Sequence, residues 1–206
     1  MPVQMSDIQV DALMEMINIG MGRAALILSE MVASHVSLKV PSLQVLTPDQ
    51  ACLGLDKLGQ SRVAAVVLGY RGMLSGNAML CFPPASAAKL TNFLIGDTGD
   101  NPDMDALKRA TLIEVGNIAL NGVVGSISNL LQEYLQYTVP IYEEGEAQQL
   151  LRSHLSCNAE VVIIAETSLE VKALDLRGDT VLLLEADSLA IILDAINKVV
   201  ASFTEP

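Results

Sequence analysis

The period of the hydrophobic positions changes repeatedly along the chain, and each change marks an element. Ser6 is a good N-cap with Asp7 in the first turn behind it, and helical periodicity then runs to about Val32. HVSLKVPSLQVL (35–46) is β-branched and alternating, which predicts a strand broken at Pro41. Thr47-Pro48-Asp49-Gln50 supplies a cap, a first-turn proline and a capping-box glutamine for a short helix to about Leu55. RVAAVVLGY (62–70) is almost continuously apolar, so it predicts a strand buried on both faces. MLSGNAMLCF (73–82) is its hairpin partner through Arg71-Gly72, and Pro83-Pro84 opens a helix that stops at Gly96.

The same order then returns. After the linker DTGDNPD (97–103), a long helix is predicted over about 105–135 and a short β-like piece before Pro140. A short helix follows in GEAQQLLRSHL, then strands near 159–167, 169–175 and 179–185, and a last helix over about 187–202. GNAMLCFPPAS (76–86) and GDTVLLLEADS (178–188) share Gly, Leu and Ser at the same relative positions. The chain therefore reads as an internally duplicated α+β fold, with repeat 1 at about 5–99 and repeat 2 at about 103–206. A linker of seven residues and strands that need cover on both faces favour a single domain, 1–206, over two. Its expected architecture is pseudo-twofold, with a central, largely antiparallel sheet shared by both halves and flanked by helices.

Composition narrows the possible partners. Apolar residues are 51% of the chain and aromatics 3%, so the core is built from Leu, Ile, Val, Ala and Met. A net charge of −12 repels phosphate backbones and anionic lipid, which argues against nucleic acid and membrane surfaces. Cys52, Cys81 and Cys157 lack metal-ligand spacing and read as reduced thiols. The N-terminus has no basic stretch followed by an apolar one, and no uninterrupted apolar run reaches membrane-spanning length. The expectation is a cytoplasmic protein. Because the duplication already supplies a pseudo-dimer, a monomer is expected.

The candidate chemistry lies on the two long helices. Glu15, Asn18 and Pro41 recur as Glu114, Asn117 and Pro140, in register 99 residues later. On a helical wheel Asp11, Glu15, Asn18, Gly22, Ala25 and Ser29 share a stripe roughly 80° wide. The second helix repeats it with Ala110, Glu114, Asn117, Asn121, Val124 and Ser128. The rest of each helix is apolar, which predicts a buried helix with one narrow exposed strip. One such strip alone is more simply a solvated face. The duplicated Glu-x-x-Asn is harder to dismiss, because Asn is a poor mid-helix residue.

Gly20, on the opposite side of the wheel, suits close helix packing. Gly22, on the strip itself, suits either tolerance or the approach of a partner's backbone. His35 and His154 stand alone, no serine or cysteine nucleophile has a base, and no phosphate loop is present. Asn is a weak metal ligand, so no metal site is expected. An amide can hold a water by donating and accepting hydrogen bonds, and a carboxylate can pair with a lysine. That pair suits in-line hydrolysis of a phosphoryl group whose metal and lysine belong to a partner.

The pattern Asp/Ser-x-x-x-Glu-x-x-Asn-x22-Pro resembles the signature of the CheC/CheX/FliY family of chemotaxis phosphatases. The doubled motif and the segment GNAMLCFPPASAAKL make the resemblance strongest to the CheC-type members, over nearly the whole chain. The resemblance implies hydrolysis of the aspartyl phosphate on a phosphorylated CheY-type response regulator. It implies that Asn18 and Asn117 orient the attacking water and that Glu15 and Glu114 pair with the regulator's lysine. Asp11, Gly22 and Asn121 are the candidate binding residues. No cofactor of its own is implied, since the Mg2+ would be the regulator's. A CheD-like deamidase is a possible second partner. Ala110 departs from the Asp or Ser of the signature; both sites work if that position only helps docking or helix orientation, and only the first works if it is required. Two alternatives stand: a non-catalytic adaptor for a response regulator or a CheD-like deamidase, and a flagellar-switch component. The latter usually carries a further domain, for which the sequence is too short.

Overall fold

The computed structural model describes residues 5–57, 62–96, 104–155, 159–171, 174–185 and 188–204. Each half contributes strands to one antiparallel sheet. The first supplies β1 (Val36–Leu46), β2 (Arg62–Arg71) and β3 (Gly76–Phe82). The second supplies β4 (Gln136–Tyr137), β5 (Ile141–Glu146), β6 (Ala159–Val171) and β7 (Leu174–Glu185). The order is β1-β6-β7-β3-β2, with β4 and β5 both pairing β2. Exchanging β1, β2 and β3 for β5, β6 and β7 reverses this order without changing it. The pseudo-twofold therefore passes between β3 and β7, as the sequence repeat predicts.

Both faces of the sheet are covered. Val63 to Leu68 are all buried, six in succession. Ala64, Val66 and Leu68 join the core beneath α1 (Asp7–Met31), α3 (Pro84–Ile95), α4 (Met104–Leu131) and α6 (Ser188–Thr204). Val63, Ala65 and Val67 join a smaller core beneath α2 (Pro48–Lys57) and α5 (Ala147–His154). This is the physical basis of the continuous apolar run in the sequence.

The helix boundaries follow local chemistry. Ser6 and Gln9 form a reciprocal capping box, with Ser6 N–H donating to Gln9 Oε1 at 2.9 Å and Gln9 N–H to Ser6 Oγ at 3.3 Å. Thr47 and Gln50 repeat it at α2. α4 ends at Leu131 and not near 135, because Gln132 adopts a left-handed conformation (φ 55°). Ala33 does the same after α1 (φ 47°), and it occupies the equivalent position in the first repeat. Ser34 N–H and Glu133 N–H then cap the Ser29 and Ser128 carbonyls, at 3.1 and 3.2 Å.

Three sequence expectations change. The break expected between 167 and 169 is absent: β6 runs unbroken over Ala159–Val171, and residues 174–175 of the second expected strand begin β7. No turn-forming residue interrupts β6 at Ser168, and buried Thr167 finds its partner in Thr180, 2.9 Å away. Pro41 does not break β1; it shifts the register against β6 between Lys39 and Ser42, on an edge strand. IYEEGE (141–146) is an additional edge strand, hidden in the sequence by its charges.

α1 and α4 cross in contact. A Cβ on Gly20 would lie 2.3 Å from the Gly122 carbonyl oxygen, and one on Gly122 would lie 2.5 Å from that of Gly20. Ser126 Oγ donates across the crossing to the Met16 carbonyl at 2.8 Å. The helices are therefore antiparallel, and Gly20 is a packing glycine as its wheel position predicts. A Cβ on Gly22, two residues away, meets nothing within 4 Å.

These contacts set opposite signs for two similar substitutions. Gly20→Ala is expected to destabilise the fold by about 2 kcal/mol or more, through overpacking against backbone. Gly22→Ala is expected to stabilise it by up to about 1 kcal/mol, through helix propensity alone. Urea unfolding midpoints of the two variants test this directly.

A second expectation concerns acid. Asp179 is buried on β7, and burial, reinforced by the nearby Glu166 carboxylate, pushes its pKa from 3.8 to about 6. The folded state therefore binds this proton more tightly than the unfolded chain does. The contribution of Asp179 to stability is fully present below the unfolded pKa and is lost as pH rises through about 6. Asp179→Asn should raise stability at pH 7 by about 1–2 kcal/mol and give no such gain near pH 4. Thermal unfolding at the two pH values measures the difference.

Candidate functional site

α1 presents its motif in two parts. Asp11, Glu15 and Gly22 are exposed, while Asn18 and Ser29 are half-buried and Ala25 is buried. The strip is therefore exposed only over its first three turns. At Asn18 and Ser29 it lies against β1, and its polar groups are used. Val36 N–H donates to Ser29 Oγ at 2.9 Å. Val40 N–H donates to Asn18 Oδ1 at 2.8 Å, and Asn18 Nδ2 donates back to the Val40 carbonyl at 3.1 Å. Among the described residues β1 pairs with β6 alone, so its other side has backbone groups to satisfy, and α1 satisfies those at Val36 and Val40.

This explains the spacing of Asn18 and Pro41. Eleven helical residues separate Asn18 from Ser29, about 16 Å of axis, and four strand residues separate Val36 from Val40, about 13 Å. Helix and returning strand match in length. The residue gripped is the one before the proline, where the register of β1 shifts.

The exposed face of α1 is also wider than a narrow strip. Ile8, Ile19 and Leu26 are 64%, 46% and 69% exposed and flank Glu15 and Gly22. The apolar residues of the wheel had implied burial for Ile19, and the structure corrects this. With Gly22 open, α1 offers a carboxylate within a patch of exposed aliphatic side chains.

α4 holds the second copy differently. Ala110 and Glu114 are exposed, Asn117 and Asn121 half-buried, and Val124 and Ser128 buried. Val139 is the counterpart of Val40, yet it is 83% exposed where Val40 is 2%. The chain before Pro140 is tied elsewhere. Thr138 holds it to β2 instead, with Thr138 N–H donating to the Gly69 carbonyl and Gly69 N–H to Thr138 Oγ1, both at 2.9 Å. Asn117 takes its hydrogen bond from Asn121, Nδ2 to Oδ1 at 2.7 Å.

The other candidates fall away. His154 is not alone: its Nε2 lies 2.7 Å from Glu143, and its carbonyl accepts from Asn77 Nδ2 at 2.8 Å. Cys52 and Cys81 are buried free thiols, and burial together with Asp179 pushes the Cys81 thiol up to about 12. Cys157 lies outside the described residues. Among the described residues no group of three His, Cys, Asp or Glu side chains is placed to hold a metal. α1 and α4 are long and apolar enough to cross a membrane by length and composition, which the count of uninterrupted apolar residues did not show. Here their apolar sides pack on the sheet and on each other.

The two asparagines should differ as structural residues. Asn18→Ala leaves the Val40 N–H and carbonyl without their partner and is expected to cost about 1–3 kcal/mol. Asn117→Ala loses one side-chain bond near solvent and should cost well under half as much. Paired denaturation curves of the two variants decide it, and equal losses would contradict the difference in how the amides are held.

No protein-family model matches the chain. The CheY-P phosphatase CheC of Bacillus subtilis (strain 168) is 28% identical over 141 residues, a match spanning 64% of this chain and 64% of that protein. FliY of Thermotoga maritima superposes with a TM-score of 0.74 at 20% identity, covering 94% of this chain and 98% of that one. FliM in a FliM–SpeE complex from H. pylori gives 0.67 at 15% identity, covering 95% and 97%. A CheX–CheY–BeF3–Mg2+ complex from Borrelia burgdorferi gives 0.53 at 16% identity, covering 84% and 99%. With its α+β architecture, its antiparallel sheet and its two motif helices, the chain has the fold of the CheC/CheX/FliY family.

Proposed function

We propose that the protein accelerates hydrolysis of the aspartyl phosphate on a phosphorylated CheY-type response regulator. One observation carries the reading: on each long helix an exposed glutamate stands one turn before an asparagine whose amide is held by a hydrogen bond. The similarity to a CheY-P phosphatase and the fold shared with a CheX bound to CheY support it.

The chemistry asked of the helix is modest. Glu15 and Glu114 pair with a lysine of the regulator, and Asn18 and Asn117 orient water for in-line attack. Mg2+ and the phosphoryl group belong to the regulator, so this chain supplies positioning. An amide has two N–H groups and two lone pairs on oxygen. Val40 takes one of each from Asn18, which fixes the amide plane and leaves one donor and one acceptor for water. Ile8, Ile19 and Leu26 form the apolar docking surface around Glu15, and Gly22 leaves room for a regulator's backbone. A CheY-type regulator works in the cytoplasm, and this reading places the protein there.

One observation favours a second reading. The Asn18 amide is already bonded to β1, as a purely structural asparagine would be. A non-catalytic adaptor, binding a response regulator or a CheD-like deamidase through the same surface, fits that. The shared fold with FliM in complex with another protein is compatible with it.

Phosphate release from an acetyl-phosphate-loaded CheY-type regulator separates the two. The protein is expected to accelerate release. Glu15→Ala with Glu114→Ala should reduce that acceleration by at least about tenfold, the weight of a charge-assisted hydrogen bond. Both glutamates are exposed, so the double variant should keep its unfolding temperature. Unchanged release with and without the protein would exclude the phosphatase, and binding that persisted would identify the adaptor.

A further inference from the structure

The repeat makes Asn121 the counterpart of Gly22, so the second strip carries a side chain where the first has none. An asparagine in mid-helix costs helix stability relative to most residues, and Asn121 is not placed to recover that by capping. Its side chain is half-buried and points back one turn, Nδ2 to Asn117 Oδ1 at 2.7 Å. This is the reach of an i,i+4 pair. In the first copy the equivalent oxygen, Asn18 Oδ1, is held by the Val40 N–H. In the second, the equivalent residue, Val139, is 83% exposed, and the Asn117 oxygen accepts from Asn121 instead.

We infer that Asn121 is the positioning residue of the second site, fixing the Asn117 amide in place of the strand that fixes Asn18. The assignment rests on the phosphatase reading for its purpose and on the helix geometry for its contact. A donor on Asn121 must face the Asn117 oxygen, so the Asn117 N–H groups point away from Asn121. Without that donor the terminal amide has two nearly equivalent orientations, and one presents oxygen where the other presents N–H.

The sequence reading made Asn121 a contact to the partner. Here it acts through Asn117 and need not touch the regulator. The two roles differ in kinetics. A contact residue changes KM, whereas a residue that orients the water-holding amide changes kcat.

The experiment uses the full chain with Glu15→Ala, so that release from an acetyl-phosphate-loaded CheY-type regulator reports the second site. Asn121→Ala should lower kcat about tenfold at constant KM. Asn121→Asp should do the same despite its matching shape, because a carboxylate cannot donate and draws the Asn117 N–H groups inward. Asn121→Gln keeps the donor and should recover most of the rate. Side-chain amide NMR gives a readout independent of turnover: the Asn117 NH2 pair should shift and lose order in Asn121→Ala and Asn121→Asp, and keep its order in Asn121→Gln. An unchanged kcat in Asn121→Asp, a rise in KM alone, or an Asn117 amide equally ordered in all variants would overturn the assignment. If the unaltered protein accelerates no release, the phosphatase reading fails by itself, and the amide spectra still decide whether Asn121 positions Asn117.

Discussion

The approach of α1 to α4 at Gly20 and Gly122 governs the rest. At carbonyl-to-Cβ distances of 2.3 and 2.5 Å only hydrogen fits between the backbones. Two glycines mid-helix carry a propensity cost of about 2 kcal/mol together, and the close contact of two long helices offsets it. Because the helices run antiparallel, Glu15 and Glu114 lie on opposite sides of the crossing. The thirteen residues between their levels amount to about 20 Å along the axis. Gly116 serves a related purpose on the sheet side, where a Cβ would meet Val66 at 2.5 Å. The helix pair can settle against β2 only because that position is bare.

The second constraint is the outer side of β1. An edge strand must hide or satisfy its free backbone groups. Here α1 satisfies them with the side chains of Ser29 and Asn18, so the same strip that faces solvent at Glu15 is part of the fold at Asn18. The proposed catalytic amide is therefore anchored by the element that closes the sheet. Loss of activity in an Asn18 variant has two causes to be separated, and the exposed glutamates are the cleaner reporters.

Much of this was legible in the sequence. The duplication, the two long helices, the hairpin of β2 and β3, the cap at Ser6 and the capping box at Thr47 follow from period, turn residues and caps. So does the role of Gly20, because its wheel position opposes the strip. What the sequence hid depends on tertiary contact. Ile19, Ile27 and Leu26 are apolar yet exposed. The Val40 partnership could have been suspected from the fixed Asn-to-Pro interval, whose length matches a helix and its returning strand. The divergence of the second copy could not, since Val139 and Val40 are the same residue in the same motif and only their neighbours differ. β5 was missed because an edge strand with one wet face can be largely charged.

Covalent duplication has one more consequence. In a homodimer every substitution appears twice, so two symmetry-related sites rise and fall together. Here the two copies sit in one gene, and each can drift alone. Ala110 opposite Asp11 and Asn121 opposite Gly22 record two such departures. The chain has kept the symmetry of its scaffold, which the sheet enforces, and released the symmetry of its surfaces. Selection can therefore set the two halves of this protein to different strengths without dismantling the architecture they share.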